Sequence, residues 1–358
     1  MRILSRYFLT EFLKIFGICQ ISIYTIFLLI DFIRKIDNFI EAGVSRGTIF
    51  TYFLYKTPFI VIQMTPVASL LSVIILFCLM KRSNEITALR ASGFSIFQIS
   101  KPIITASLFI ALGVFLFSET LIPYTSSKSN EIWAIQVKKR DPTRFYGKSQ
   151  IWYKGEDAIY WIRHFDGKHK TMESPSFYFF DGDFRLVKRI DARQCVWEGR
   201  RWNAKEGIIQ ERDGEGGYSL EKFAQRHVDI PETPEIFMRT EKKPEEMSYW
   251  QLKAWAERVR QEGYDDSRYQ VDLHVKFALP LVSLILVFTG IPVALGMQRG
   301  GTPLAVSAGM GICLAYLLVL GFSRSLGLSG VLPPFLSAWI ASLLFLLLGV
   351  YFMMKIEK

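Results

Sequence analysis

Charge is missing from long stretches of this chain. Thr57–Met80 runs for 24 residues without Asp, Glu, Lys or Arg, Phe277–Gln298 and Thr302–Ser323 for 22 each, and Leu326–Met354 for 29. About 20 apolar residues in a helix cross the hydrocarbon layer of a bilayer, and a helix satisfies its own backbone there. Two shorter windows, Ile15–Ile30 and Pro102–Ser118, reach that length once Phe12 and Leu13, or Leu121 and Ile122, are included. The expectation is six transmembrane helices, three on each side of a polar block.

The flanking charges predict an orientation. Arg2, Arg6 and Lys14 precede span 1, Lys81, Arg82, Arg90 and Lys101 lie between spans 2 and 3, Arg299 between spans 4 and 5, and Lys355 and Lys358 at the end. With six spans all of these fall on one side, where only Glu11, Glu85 and Glu357 oppose them. The positive-inside rule then puts both termini in the cytoplasm and Glu119–Lys276 on the far side. The net charge of +10 is thus spent on membrane orientation; no basic stripe marks a nucleic-acid surface. Span 1 is too long and too aromatic for a signal segment and is expected to remain as an anchor. MRILSRYFLTEFLK before it reads either as an interfacial helix or as a generic basic flank.

The block between the membrane halves alternates strands and turns. Ile151–Phe165 reads as two strands around Gly155-Glu156-Asp157, and Ser176–Phe180 precedes an Asp-Gly-Asp turn. Leu186–Ile190, Gln194–Trp197 and Gly207–Gln210 continue the pattern, with turn signals about every 8–12 residues, as in a sandwich or barrel. Cys195 is the block's one cysteine, so no disulfide forms within it. Trp152, Tyr153, Trp161, Phe177, Tyr178, Phe179, Trp197 and Trp202 fit either an ordinary core or a groove for an apolar chain. SYWQLKAWAERVRQEG, with Trp250, Leu252, Trp255 and Val259 on its apolar side, predicts a short helix capped at Ser248 and stopped at Gly263. Pro58, Pro66, Pro280 and Pro292 and a run of glycines in spans 4 and 5 fit close packing or movable helices. The resulting division is 1–122 (spans 1–3), 123–247 (β domain), 248–276 (helix and connector) and 277–358 (spans 4–6).

Catalytic signatures are not found. His164, His169, His227 and His274 lie outside the spans, HExxH and CxxC are missing, and no phosphate-binding loop or nucleophile elbow occurs. No metal, cofactor or catalytic residue is nominated. The uncharged windows also hold no ionisable relay, which disfavours a gradient-driven transporter.

That focuses attention on NEITALRASGFS, residues 84–95, between spans 2 and 3. Asn84–Ser92 makes about two and a half helical turns, roughly 13 Å. Ser83 or Asn84 stands ready to cap it, Glu85 sits at the positive dipole end, Gly93 suits a left-handed stop, and Ile86 and Leu89 share a face. So short a helix needs a surface to lie on. It is either an interfacial helix on the inner leaflet or a coupling helix docked into a separate ATPase.

Four stretches carry a family resemblance: KRSNEITALRASGFS (81–95), DFIRKIDNFIEAG (31–43), SRYQVDLHVKFALP (267–280) and GFSRSLGLSGVLPP (321–334). In this order, over the whole chain, they resemble the lipopolysaccharide export permeases LptF/LptG, and the G member most. The resemblance implies an α-helical membrane protein of the inner membrane, with six spans and an inserted all-β, β-jellyroll-like periplasmic domain. It implies an ABC transporter permease in outer membrane biogenesis, paired with a sister permease F. A cytoplasmic ATPase dimer that supplies ATP hydrolysis, a single-span accessory subunit with its own periplasmic β domain, and a periplasmic bridge protein would complete the path. Lipopolysaccharide would leave the outer leaflet through a cavity between the permeases. Glu85 and Arg90 would contact the ATPase, Ile86 and Leu89 would fill its cleft, and Gly93 would end the helix. Arg34, Lys35, Asp37 and Lys128 would face the lipid's anionic sugars. Glu41, and the arginine-poor stretch after Pro123, depart from the family pattern. The rival readings are an ABC-linked permease for another lipid and a non-transport scaffold displaying a β domain.

Overall fold

In the computed structural model, residues 2–138, 149–155, 158–212, 217–234, 237, 243–261, 265–296 and 301–357 are described. The turn at Glu156-Asp157, the helix stop at Gly263 and the charges Arg299 and Lys358 lie outside them. The chain divides into two compact units, residues 1–129 with 243–358, and residues 130–242.

The first unit is helical. α1 (Arg2–Ala42), α2 (Arg46–Arg82), α3 (Glu85–Ala91) and α4 (Ile96–Glu131) come before the insert; α5 (Tyr249–Gln261), α6 (Ser267–Gly296), α7 (Gly301–Leu328) and α8 (Pro334–Glu357) follow it. Six of these, all but α3 and α5, are long and apolar enough to cross a membrane. The chain is a multi-pass membrane protein. The helices outrun the uncharged windows: α1, α2 and α4 have 41, 37 and 36 residues. The window Leu326–Met354 is not one helix, because α7 stops at Leu328 and α8 starts at Pro334. Gly330, with φ +75°, makes the turn between them, and its backbone suits glycine. Arg324, the lone charge between two uncharged windows, therefore marks no loop; it lies inside α7.

The bundle is assembled on α2. A Cβ on Gly290 of α6 would come within 2.6 Å of Leu70, and one on Gly309 of α7 within 2.5 Å of Ile74. Without side chains there, backbone meets side chain directly, the contact that serves helix association in lipid, where burial from water does not. Leu70, Val73, Ile74, Phe77 and Met80 of α2 join Leu286, Val287 and Ile291 of α6 in the buried core. α1 and α7 instead keep many apolar side chains bare, among them Ile18, Ile21, Ile26, Leu29 and Ile33 on α1 and Met310, Leu314, Leu317, Leu318 and Phe322 on α7.

α5 begins with a reciprocal cap: Gln251 N donates to Ser248 Oγ, and Ser248 N donates to the Gln251 side chain. Leu252 and Ala256 are its buried positions, while Trp250, expected on the apolar side, is exposed.

The second unit is all-β. β1 (Ser149–Lys154), β2 (Ala158–Asp166), β3 (Thr171–Phe180), β4 (Leu186–Trp197), β5 (Trp202–Arg212) and β6 (Tyr218–Val228) form one antiparallel sheet in chain order. The two strands expected at 186–190 and 194–197 are a single long β4. Each strand pairs with its sequence neighbours, and among the described residues none joins β1 to β6, so the meander is open. The β3–β4 turn follows its chemistry: Asp181 Oδ1 accepts from the backbone N–H groups of Asp183 and Arg185. Phe177 and Trp202 lie in the core with Tyr160, Ile162, Phe165, Met172, Cys195 and Phe237, and Tyr153, Phe179 and Trp197 pack against it. Trp202 Nε1 donates to Glu232 O at 2.7 Å, and Tyr160 O–H donates to the Glu232 carboxylate at 2.8 Å. These satisfy the polar tips of two fully buried rings. Trp152, by contrast, is exposed and stacks on Tyr178, 6.5 Å between centroids.

Burial pushes the Cys195 thiol up to about 12. Because the thiolate is the nucleophile, Cys195 is expected to resist maleimide at pH 8 in the native chain and to react on denaturation. Mass spectrometry of the labelled peptide reads this; rapid native labelling would contradict the packed β core.

Candidate functional site

Three places collect the chemistry of the helical unit. The first is α3. α2 ends at Arg82, and Asn84 turns the chain with φ 61° in the left-handed region that Asn tolerates. Neither Ser83 nor Asn84 caps α3 by a side-chain bond to its amides: Asn84 makes none, and the Ser83 hydroxyl donates to Glu85 Oε1 at 2.7 Å. Glu85 Oε2 accepts from Tyr7 O–H of α1 at 3.2 Å. The carboxylate thus sits at the positive end of α3 with both oxygens engaged. Gly93, φ +84°, closes the helix, with Gly93 N bonded to Arg90 O and Phe94 N to Leu89 O.

The burial of α3 corrects an expectation. Ile86 is 6% exposed and belongs to the core with Phe8, Phe12, Phe77 and Met80, and Leu89 packs against the same cluster. These two side chains face the bundle rather than an outside cleft, because seven residues of helix need that apolar contact to stay folded. The face turned outward carries Thr87, Ala88, Arg90 and Ala91.

The second place lies toward the ends of α1 and α2 opposite α3. Asp31 holds Lys35 at 2.7 Å and Lys56 at 3.6 Å, and both ammonium groups lie over the Tyr52 ring, 5.3 and 5.6 Å from its centroid. Of the lipid-facing residues proposed from sequence, Lys35 is therefore tied into an internal cluster, whereas Arg34 and Asp37 are exposed. Lys128 is half-buried on α4.

The third place joins α6 to its neighbours at the same end. Asp272, 5% exposed, accepts from Arg324 Nη2 of α7 at 2.5 Å, with the guanidinium side chain 46% exposed. Lys276 lies 3.8 Å from Glu119 of α4, whose other carboxylate oxygen accepts from Tyr249 N at the start of α5. Ser323 Oγ donates to Ser337 O, tying α7 to α8 there. The sequence reading missed these pairs because it took the uncharged windows as the spans; the helices reach further, and the charges at their ends are paired. The isolated Arg324 and the i,i+4 pair Asp31/Lys35 were the available signals. Among the described residues no group of three or more His, Cys, Asp or Glu side chains comes together as a metal site requires.

A family model described as the lipopolysaccharide export system permease LptF/LptG matches residues 6–355. The chain belongs to this family. The match covers both membrane halves and the β insert, and it does not separate the F from the G member. No curated protein matches the chain. The family supports a general role for the chain as a lipopolysaccharide export permease.

Stripping one partner from a buried ion pair leaves the other charge stranded. Arg324→Leu is expected to lower the stability of this permease in detergent by about 3 kcal/mol, the low end for such a loss because the guanidinium is half-exposed. Arg324→Lys should lose less. Thermal melts of the purified variants test this; an unchanged melt for Arg324→Leu would mean that Asp272 is not held by this pair.

Proposed function

We propose that the chain is the G-type permease of an ABC exporter that draws lipopolysaccharide from the outer leaflet of the inner membrane and hands it to a periplasmic bridge. The chain would contribute no nucleotide site; a cytoplasmic ATPase dimer would hydrolyse ATP and push on α3. The observation that carries this reading is the construction of α3. A seven-residue helix is seated on the bundle by Ile86 and Leu89, and its polar and small residues Thr87, Ala88, Arg90 and Ala91 are turned out. A helix that only lay on the membrane surface would put its apolar side toward lipid and keep Arg90 near the headgroups. A docking helix needs the arrangement seen, rigid on one side and available on the other.

Three further features support it. The bare apolar faces of α1 and α7 offer a surface for the sister permease F and for acyl chains between the two. Arg34, exposed near the far end of α1, suits an anionic sugar phosphate, since a guanidinium fork matches phosphate oxygens. The accessory subunit and the bridge protein would meet the β domain on the periplasmic side, with both termini of the chain in the cytoplasm. A scaffold displaying a β domain would have no use for α3. A permease for another lipid would keep α3 and change the charges near Arg34.

Arg90→Glu reverses the one charge on the outward face of α3. The expected result is loss of ATPase co-purification and of surface lipopolysaccharide, with the folded permease recovered in normal yield, since Arg90 makes no core contact. Retained ATPase binding and normal lipopolysaccharide display would refute the docking role of this face.

A further inference from the structure

The seat of α3 reaches beyond α2. Tyr7 of α1 donates its hydroxyl to Glu85 Oε2, and Ser83 holds the other oxygen. One residue on, Phe8 is fully buried, and one turn later so is Phe12; both share a core cluster with Ile86. Leu4 and Leu9 pack against the same cluster. The start of α1 is thus joined to α3 by one polar bond and by a shared apolar cluster. Beyond Phe12 the helix is mostly bare on the side away from α2. Further ties run to α2, among them Gln20 Nε2 to Val61 O, Tyr24 to Thr57, and Asp31 to Lys56.

We infer that Tyr7 is a positioning residue that links the coupling helix directly to span 1, so that displacement of α3 moves the inner end of α1 rather than α2 alone. α2 is wedged between α6 and α7 by the glycine contacts at Gly290 and Gly309, and a close-packed core does not deform smoothly. α1 is the long helix least enclosed by the rest, so it has room to move. The polar link supplies direction as well as attachment. Glu85 sits at the first turn of α3, and the Tyr7 bond, 3.2 Å long and open to solvent, adds a directional contact to the apolar ones. Apolar contact is non-directional, so the Tyr7 bond is the contact that ties a particular position of α3 to α1.

This inference rests on the proposed coupling role of α3. The test is Tyr7→Phe in the full chain, reconstituted in proteoliposomes with the ATPase and sister permease. Spin labels on Leu13 of α1 and Leu108 of α4, both exposed, report helix position. The phenylalanine keeps the ring and removes only the hydroxyl. The expected result is normal ATPase recruitment, hydrolysis within about twofold of wild type, and lipopolysaccharide release per ATP reduced about threefold to tenfold, as loss of one hydrogen bond predicts. The nucleotide-dependent change in the label distance should shrink in parallel. Glu85→Gln, which keeps an acceptor for Tyr7, should retain more of the distance change than Tyr7→Phe. Unchanged release per ATP with an unchanged label response would overturn the link. So would equal losses in recruitment and melting temperature, because Tyr7 would then be only a packing residue. If wild type itself neither binds the ATPase nor responds to nucleotide, it is the coupling role of α3 that fails.

Discussion

The contact on which the helical unit depends is the seating of Gly290 and Gly309 against Leu70, Val73 and Ile74. In water, helices associate because apolar faces leave the solvent. In lipid that gain vanishes, and what holds two helices together is close van der Waals contact and the few polar bonds between them. A Cβ at Gly290 would press on Leu70 and Val73, and one at Gly309 on the end of Ile74, so those side chains would have to give way. With both in place, α6 and α7 close on the same stretch of α2 around Ile74, and α8 ties into them through contacts such as Tyr316 with Phe345 and the Thr289 hydroxyl with Phe345 O. Polar bonds of this kind are few but well placed, and each ties one helix to the next.

A core built this way leaves two helices incompletely covered. α1 packs mainly along α2, and α7 shows a broad leucine-rich face. A soluble protein would not tolerate these surfaces. A membrane protein does, because lipid or another subunit meets them without penalty. Under the proposed function, the rigid part of the permease is the α2–α6–α8 body, and the working surfaces are the helices left bare at its sides. The placement of charge fits this division. Asp31 with Lys35 and Lys56, Glu119 with Lys276, and Asp272 with Arg324 all lie toward the end of the bundle opposite α3. Such pairs are tolerated near the headgroups and costly at the bilayer centre.

Much of this was legible in the sequence, for a physical reason. Apolar length dictates spans, and turn residues dictate hairpins, so the six helices, the β insert and the helix at 85–91 all followed from local rules. Asp-Gly-Asp at 181–183 and Ser248 with Gln251 did what their chemistry requires. The failures have a common cause as well. A window of uncharged residues marks the hydrocarbon depth and not the helix, so α7 and α8 were divided at the wrong place and the charges just outside the windows were read as flanks. Turn spacing did not reveal that the strands pair in one open meander, because pairing is a long-range fact. The direction of Ile86 was not legible either. Two apolar residues on one face of a short helix indicate that something covers them; whether it is a partner or the chain's own core depends on where Phe8 and Phe12 lie, seventy-odd residues away in sequence.

That last point bears on how a permease of this design can be driven. An outside subunit moves a helix effectively only if the helix is stiffly joined to what must move. Had Ile86 and Leu89 pointed outward, α3 would have gripped its partner well and its own protein poorly, held by little more than the turn at Ser83 and Asn84. Facing inward, they put α3 in the same core cluster as the ends of α1, α2 and α4 nearest to it, and the cost of pulling α3 away is the burial of several large side chains. Under the proposed docking role, the outward face with Thr87, Ala88, Arg90 and Ala91 would only have to be recognised. In this arrangement strength lies inside the permease and specificity outside it, so that separation at the docking surface would come before rupture of the core.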